Sequence, residues 1–454
     1  FLYENQTDNY QQDHYQAFYN HKFDTNWSFN TAVFLTKGKG YYEEFKKAAK
    51  YSSYGLPNFT VGNETVTRTD LVRQLWLDNN FYGGIFSLIR KGAGNQLTIG
   101  GGWNQYDGKH YGRIPWAMMG IPKNFQNYYY EATKKDLNVF VKYQQKLTEN
   151  LEAYGDLQYR TVNYNIGGTR KFPDLKTDNT FHFFNPKAGL TYTSGSLIAY
   201  ASYAMANKEP NRNDFETGTA VARPKREQLH DVELGIETNK YNYAWGVNGY
   251  FMRYKDQLVL TGKINDVGDA VRINVPNSYR LGVELQGRYR IGKILQVSGN
   301  LTLSENKVLE FTDNVPRYDA NFDLIKQDSF FYKKTTMAFS PAVTGSGLVQ
   351  LFPFANAEID LISKYVGEQY LDNSMNDARK IQGYFVQDLR LQYNLKIRGL
   401  KEVVIIGQLS NVWNKNYEAN GYTYSYIYND SPVTENFYFP MAGRNAMIGV
   451  NVKL

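Results

Sequence analysis

The chain has 454 residues, no cysteine and a formal net charge of +7. Its length allows several soluble domains or one large barrel, the lack of cysteine excludes disulfides and thiolate metal sites, and the charge excess is too small to predict a nucleic-acid partner. The mean hydropathy is −0.55, and the sequence contains no run of about 18 apolar residues that could form a membrane-spanning helix. Aromatic residues make up 16% of the chain, and 39 of them are tyrosines.

Strands with one apolar and one polar face are predicted along the whole chain. Apolar and polar residues alternate, in chain order, over residues 27–35, 137–143, 151–159, 243–251, 281–291, 295–303 and 446–454. A period of two is typical of strands, and about 17 strands can be counted in this way. The segment 75–90 is also strand-like, but its pattern does not indicate which side faces which environment.

The clearest pair of strands shows what the two faces contact. Residues 281–291 and 295–303 are joined at Gly292-Lys293, which predicts a tight hairpin. The polar face of the first strand carries Glu284, Arg288 and Arg290, which a packed interior would not accept unpaired. We therefore expect this face to line a water-filled lumen and the apolar face to contact lipid.

Short and long connections alternate along the chain. Short turns are predicted at 24–26, 91–95, 148–149, 194–196, 239–241, 292–293 and 398–400, with a longer one around Pro353. Long polar segments are predicted at 42–67, 107–129, 165–180, 208–225, 260–271, 309–332, 369–381 and 416–442. This alternation of short and long connections is typical of an outer-membrane barrel. In such a barrel, a tilted strand of about ten residues spans the apolar band, which is about 25 Å high.

The predicted fold class is therefore all-β, a transmembrane antiparallel β-barrel over residues 1–454. A large soluble β-propeller or double sandwich is the alternative, and the lack of a blade-like repeat disfavours it. Bacterial single-chain barrels have an even number of strands, so we expect further strands before residue 1.

Several segments resemble the TonB-dependent outer-membrane receptors, particularly those of Bacteroidota. They are "KGKGYYEEFK" (37–46), "YASYAMANKEPNRNDF" (200–215), "EQLHDVELG" (227–235), residues 254–287, "SNVWNKNYEANGY" (410–422) and "FPMAGRNAMIGVNVKL" (439–454). Two positions depart from the family's closing pattern, because Ala442 stands where proline is expected and Leu454 where phenylalanine is commoner. The matches span nearly the whole chain.

The resemblance implies an architecture larger than this sequence. It implies a barrel of about 22 strands, so that roughly five would precede residue 1, with a plug domain filling the lumen. It also implies import across the outer membrane of a Gram-negative bacterium, powered by the TonB motor complex through an N-terminal TonB box. Neither plug nor TonB box is present in this sequence.

The predicted function is TonB-dependent import of a scarce, bulky nutrient. A ferric siderophore or similar iron complex is the first choice, cobalamin the second, and a glycan or peptide the third. Receptors of the third class usually have longer chains and a surface lipoprotein as a lid. A passive porin would need about 16–18 strands and no plug.

An outer-membrane enzyme is the remaining class, but no Ser/His/Asp constellation predicts a catalytic site. The five histidines lack metal-ligand spacing, and "KEPNRNDF" with "RPKREQL" does not resemble the haem-receptor motifs. We therefore predict no enzyme activity, no metal site and no cofactor.

Aromatic residues in the predicted extracellular loops are the candidate ligand-binding residues: Tyr106, Tyr111, Trp116, Tyr422, Tyr424, Tyr426 and Tyr428. Rings suit this role because they add contact area with little loss of entropy. The alternative is an interfacial aromatic belt, which suits the run Tyr128–Tyr130 equally well. For residues 422–428, the alternation predicts a strand-like loop with one tyrosine face over the mouth.

Two further sets of residues are predicted to contact partners. Glu284, Arg288 and Arg290 are candidates for contact with the plug, and solvated charge in the lumen is the alternative. Lys37, Arg253 and Lys307 end rising strands at one height and are candidates for lipopolysaccharide phosphates, with snorkelling into water as the equal alternative. Leu454, at the end of the last strand, is expected to face lipid. We expect the barrel-insertion machinery to recognise the chain at this terminal apolar residue.

Overall fold

The computed structural model describes residues 3, 5–217, 223–264 and 270–453. Leu454 lies outside these residues, as do parts of the predicted loops at 208–225 and 260–271. In the part described, the helical elements are a 3-10 turn, Tyr51–Tyr54, and a short helix α1, Arg212–Thr217. No helix among these residues is long and apolar enough to cross a membrane.

The first of two compact units comprises residues 1–145 and 155–186. Its strands, three of which extend past these bounds, are β1 (Asp8–Lys22), β2 (Trp27–Lys50), β3 (Phe59–Val61), β4 (Glu64–Val66), β5 (Arg68–Lys91), β6 (Asn95–Ala117), β7 (Phe125–Lys146), β8 (Leu151–Gly167) and β9 (Lys176–Ser194). Antiparallel pairing runs from β1 through β2, β5 and β6 to β7, while β3 and β4 form a separate hairpin.

The second unit comprises residues 146–154 and 187–454. Its strands are β10 (Leu197–Lys208), β11 (Glu227–Asn239), β12 (Tyr243–Ile264), β13 (Ala270–Ile291), β14 (Leu295–Val308), β15 (Phe311–Tyr318), β16 (Leu324–Tyr332), β17 (Thr335–Thr336), β18 (Val343–Leu351), β19 (Ala357–Val366), β20 (Gln369–Tyr370), β21 (Lys380–Ile381), β22 (Tyr384–Leu395), β23 (Glu402–Ser410), β24 (Glu418–Tyr428), β25 (Ser431–Pro440) and β26 (Asn445–Lys453). Consecutive long strands pair antiparallel, except where β15–β17, β20–β21 and β24–β25 are inserted as loop elements.

The strand content confirms the predicted all-β class. Eighteen of the described strands belong to one antiparallel sheet, and one of these, β17, has two residues. Seventeen long strands remain, as the alternation pattern predicts.

The short turns lie where the sequence predicts them, and local chemistry explains three of them. The Asp24 carboxylate accepts the backbone N–H groups of Asn26 and Trp27 at 2.7 and 2.8 Å, which closes the turn between β1 and β2. Gly292 and Gly399 adopt φ angles of 58° and 91°, a conformation that side chains disfavour.

Several long connections are shorter than predicted because the strands continue beyond ten residues. β2 and β5 each have 24 residues, so the predicted loop 42–67 begins as strand. β6 runs to Ala117, and residues 118–124 alone connect it to β7 in place of the predicted loop 107–129. Cross-strand ring pairs in this extension, such as Tyr41 on Trp76 at 4.6 Å between centroids, stabilise the added length.

The predicted lipid face is exposed rather than packed against protein. In the pair β13–β14, Val283 is 41% exposed, Leu285 38% and Leu303 45%. Buried apolar clusters form instead near the long connections, around Val259, Val275, Val308, Phe311 and Met337 in the second unit and around Tyr54, Leu71 and Ile114 in the first. The ordered packing of each unit is therefore concentrated at the end that carries the long loops.

Candidate ligand-binding surface

A four-stranded loop sheet in the second unit carries the candidate surface. Its strand order is β16-β15-β24-β25, and β15 pairs in parallel with β24 at Arg317 opposite Ile427. The β24–β25 hairpin turns at Asn429 and Asp430, whose φ angles of 46° and 63° fit a two-residue hairpin turn. The segment 416–442, predicted as a loop with strand-like alternation, is thus an ordered hairpin.

Tyrosines occupy one face of β24. Thr423, Ser425 and Ile427 are buried, while the alternating tyrosines are half-buried. This arrangement confirms the predicted alternation, and their role in ligand binding stays a prediction. We call this surface, with Phe437 of β25, the aromatic loop face: Tyr422, Tyr424, Tyr426, Tyr428 and Phe437.

Ring contacts hold the aromatic loop face in place. Tyr422 stacks on Phe437 with centroids 4.8 Å apart, and at the other end Tyr428 stacks on Phe322 at 4.6 Å. The hydroxyl groups of Tyr424 and Tyr428 donate to the backbone carbonyls of Ile264 and Ala320, at 3.4 and 3.1 Å. Because the rings are fixed by neighbours, a ligand would not need to order them on binding.

The arginine of the loop sheet is engaged by acids of the same sheet. Arg317 donates to Asp328 through two nitrogens, at 2.8 and 2.5 Å, and to Asp430 at 2.5 Å. Its charge is therefore offset within the sheet. Burial and the nearby Glu435 carboxylate both raise the pKa of Tyr426, so this phenol stays protonated and able to donate.

A buried ion-pair cluster supports the loop sheet, and sequence reasoning missed it. Arg379 Nη1 lies 2.6 Å from an oxygen of Asp372 and 3.8 Å from one of Asp313. Burial is the main cause that raises the pKa of Asp313; Asp372 adds to it, while Lys263 and Arg379 oppose it. The signal in the sequence was the "LDNS" turn, where Asp372 accepts the backbone N–H of Ser374 at 3.0 Å.

Polar contacts attach this cluster to the β24–β25 hairpin. The Asn436 amide donates to the carbonyl of Ala378 at 2.7 Å, and the Tyr438 hydroxyl donates to that of Lys380 at 3.0 Å. The position of the aromatic loop face therefore depends on the cluster beside it.

The other ring candidates lie in the first unit, in strand β6 rather than in a loop. Tyr106 and Tyr111 point to opposite faces, since they are five residues apart in one strand. Tyr111 is stacked between Trp76 and Tyr129, and Trp116 is 48% exposed near the end of the strand. The structure does not gather these three rings into one surface.

The plug candidates lie on the polar face of β13. Arg288 donates to the side-chain oxygen of Asn239 and the carbonyl of Lys240, each at 3.1 Å, and Arg290 lies 5.4 Å over the Tyr241 ring. Neither guanidinium has a carboxylate partner among the described residues.

Glu284 belongs to a group of acids on the same polar face. It accepts a hydrogen bond from Asn248 at 3.4 Å, and Asn248 is paired in register with Gly235 of β11. The alternation along β11 places its acids on this side. We call this group the acidic strip: Asp231, Glu233, Glu237 and Glu284.

The candidates for lipopolysaccharide contact are exposed or partly exposed. Arg253 and Lys307 stand in one cross-strand row on either side of Tyr279, so these two residues lie at one height. Contact of all three cations with lipopolysaccharide stays a prediction. Lys307 Nζ donates to Thr336 at 3.0 Å, whereas Arg253 is exposed and has no hydrogen-bond partner in the part described. Lys37, in the first unit, is exposed two residues beyond Leu35.

Comparison with known proteins gives one family and many solved folds. A family model described as "TonB dependent receptor-like, beta-barrel" matches residues 1–412. The chain resembles the ferric-catecholate import receptor Fiu from E. coli K12 at 13% identity and a TM-score of 0.66, covering 98% of this chain and 64% of that one. It resembles the siderophore receptor PiuA from Acinetobacter baumannii at 14% identity and 0.66, covering 99% and 65%.

A third solved structure widens the range of cargo among the similar folds. The copper transporter OprC matches at 14% identity and a TM-score of 0.68, covering 97% of this chain and 65% of that one. The chain thus spans just under two thirds of the length of these solved proteins. At such identities the likeness shows the fold alone. No curated protein matches the chain significantly.

Proposed function

Because the chain belongs to the TonB-dependent receptor family, as a beta-barrel of that type, we propose that it serves the TonB-dependent import of a scarce, bulky nutrient. It is a protein of the outer membrane of Gram-negative bacteria, and its family is one of transport receptors. Its long connections then lie outside the cell and its short turns in the periplasm.

The aromatic loop face is the observation that carries this proposal. It presents four half-buried tyrosines and Phe437 on a sheet built from extracellular connections. Half-exposed rings with hydroxyl tips suit a bulky ligand that has both apolar surface and polar groups. A passive porin has no need of such a surface at its mouth.

A ferric siderophore or similar iron complex is the proposed cargo. Fiu and PiuA, whose folds are similar, are described as a ferric-catecholate import receptor and a siderophore receptor. Cobalamin remains the alternative, followed by glycans or peptides, which would require a surface lipoprotein as a lid. The Bacteroidota affinity suggested by the sequence motifs is part of the same proposal.

The proposed importer also contains a plug domain in the lumen of the barrel. The acidic strip offers carboxylates to basic plug residues, and Arg288 and Arg290 offer guanidinium groups to acidic ones or to backbone carbonyls. The plug would carry the TonB box and so couple the barrel to the motor complex.

Growth of a deletion strain tests the proposal. The strain would be complemented with the full-length gene and grown with a ferric siderophore, cobalamin or neither as the limiting nutrient. Import of an iron complex predicts rescue on the siderophore alone, and a dependence of that rescue on TonB. Equal growth with and without the gene on every source would refute the proposed import.

A further inference from the structure

Four aromatic rings form one cross-strand row on the outer wall of the first unit. Tyr41 is paired with Trp76, Trp76 with Tyr111 and Tyr111 with Tyr129, across β2, β5, β6 and β7. Successive centroids are 4.6, 5.6 and 6.1 Å apart. We call these four rings the ring row.

The ring row faces the same side as the predicted lipid face, but it stands beyond the lipid. Two residues below it along each strand lies a row of charges, which hydrocarbon would not accept: Lys39, Asp78, Lys109 and Glu131. Lys39 and Asp78 are ion-paired at 2.9 Å.

An interfacial belt is already present lower on the wall. Trp103 is 42% exposed and contacts Tyr82 with centroids 5.8 Å apart, at the upper edge of the apolar rows. Tyr82 follows Trp76 by six residues along β5, so the ring row lies about 15 Å higher along the membrane normal. Belt anchoring therefore does not account for it.

Cations without carboxylate partners lie over the ring row and on the wall below it. Arg113 lies 5.4 and 5.3 Å over the rings of Trp76 and Tyr111 and covers the latter, which is 6% exposed. Lys37, Lys109 and Arg113 are exposed, and none forms an ion pair within the described residues. The Glu131 carboxylate opposite Lys109 instead accepts the Tyr129 hydroxyl at 2.6 Å.

We propose that the ring row and these cations bind the anionic saccharide headgroup of an outer-leaflet glycolipid. Sugar rings present apolar C–H faces that pack on aromatic rings, and phosphate or carboxylate groups accept from arginine and lysine. The position fits a headgroup, since the site continues directly from the lipid face and begins where hydrocarbon ends. Tyr129, at 44% exposed, offers the most accessible ring.

Binding of two glycolipids to the purified protein in detergent tests the proposal by native mass spectrometry. One probe is lipopolysaccharide with its core oligosaccharide, and the other is lipid A without the core. Because only the core reaches the ring row, we expect the protein to bind the first probe about tenfold more tightly. Tyr129→Ala should remove most of that preference, and Tyr129→Phe should keep it.

Tyr143 supplies a matched control in the same strand. It is also 44% exposed, but it lies near the periplasmic end of the wall, so Tyr143→Ala should leave the preference unchanged. An equal preference in Tyr129→Ala and the parent would overturn the proposal, as would no preference in the parent. If the delipidated core oligosaccharide alone competes effectively, the site binds a free glycan, and the proposal of a glycolipid ligand is overturned.

Discussion

Tyr422 lies on Phe437 with the two ring planes 13° apart, in directly opposed positions of the β24–β25 hairpin. The pair joins the two strands of the extracellular hairpin and forms one end of the aromatic loop face. A ligand that packs on this pair would contact a surface whose geometry the hairpin has already set.

Replacing Tyr422 with alanine should weaken ligand capture. The change removes one ring from the proposed contact and frees Phe437, so we expect about a tenfold loss of affinity for the imported ligand. Concentration-dependent uptake in whole cells measures the effect. Tyr289→Ala is the control, because that ring is 57% exposed on the lipid face beside a periplasmic turn. Equal losses in both variants would point to impaired assembly instead.

Replacing Arg379 with methionine should loosen the loop sheet. The side chains of Arg379 and Asp372 are 11% and 8% exposed, and the change leaves the carboxylate buried without its partner. The expected cost is roughly 3 kcal/mol. Limited proteolysis of intact cells should then cleave the segment 369–381 faster. Lys326→Met removes a cation that is 59% exposed on the same sheet and should have little effect.

The stability of the same region should depend on Asp313. Its pKa is raised above that of the unfolded chain, so the folded state holds the proton more tightly. The contribution of Asp313 to the free energy of unfolding is therefore greatest in acid. It falls as the pH rises through the window between the ordinary and the raised pKa. Asp313→Asn should increase protease resistance at about pH 7 and flatten the pH dependence. An unchanged pH profile would contradict this assignment.

Changing Lys37, Arg253 and Lys307 together to glutamine should reduce retained lipopolysaccharide if these residues bind its phosphates. Arg253 is exposed and free of hydrogen bonds in the part described, so it should contribute most. A lipid-resolved map or native mass spectrometry of parent and variant measures the difference. Equal retention would leave the three cations as snorkelling groups.

Reversing the charges of Arg288 and Arg290 should weaken the seating of the plug in the full-length receptor. Neither residue has an acidic partner among the described residues, so a partner from the plug is expected to be lost. Faster cleavage of the plug by an added protease would show the effect. A full-length structure with no acidic group or backbone carbonyl of the plug near either guanidinium would contradict it.

Strand number and the positions of the short turns could be predicted because they depend on local signals. The period-two pattern of residues 281–291 and the Gly292 turn are fixed by side-chain alternation and by one backbone angle. Strand length could not be predicted so well. β2 and β5 continue beyond the membrane because Tyr41 meets Trp76, a contact between residues far apart in the sequence.

The candidate site, too, could be predicted from the sequence only in part. The tyrosine face of residues 422–428 follows from alternation alone, whereas the cluster of Asp313, Asp372 and Arg379 joins two separate loops. Closeness in sequence suggests one surface for Tyr106 and Tyr111, but a strand places residues five apart on opposite faces.

Uptake of a radiolabelled ferric siderophore measures whether the protein imports an iron complex through the aromatic loop face. A deletion strain would carry the full-length gene, either unchanged or with Tyr422 and Tyr424 changed to alanine, at equal outer-membrane abundance. We expect uptake by the parent that stops when TonB is absent, and at least roughly tenfold weaker uptake at low ligand concentration in the variant. TonB-dependent uptake that is equal in both strains would contradict the role of the aromatic loop face.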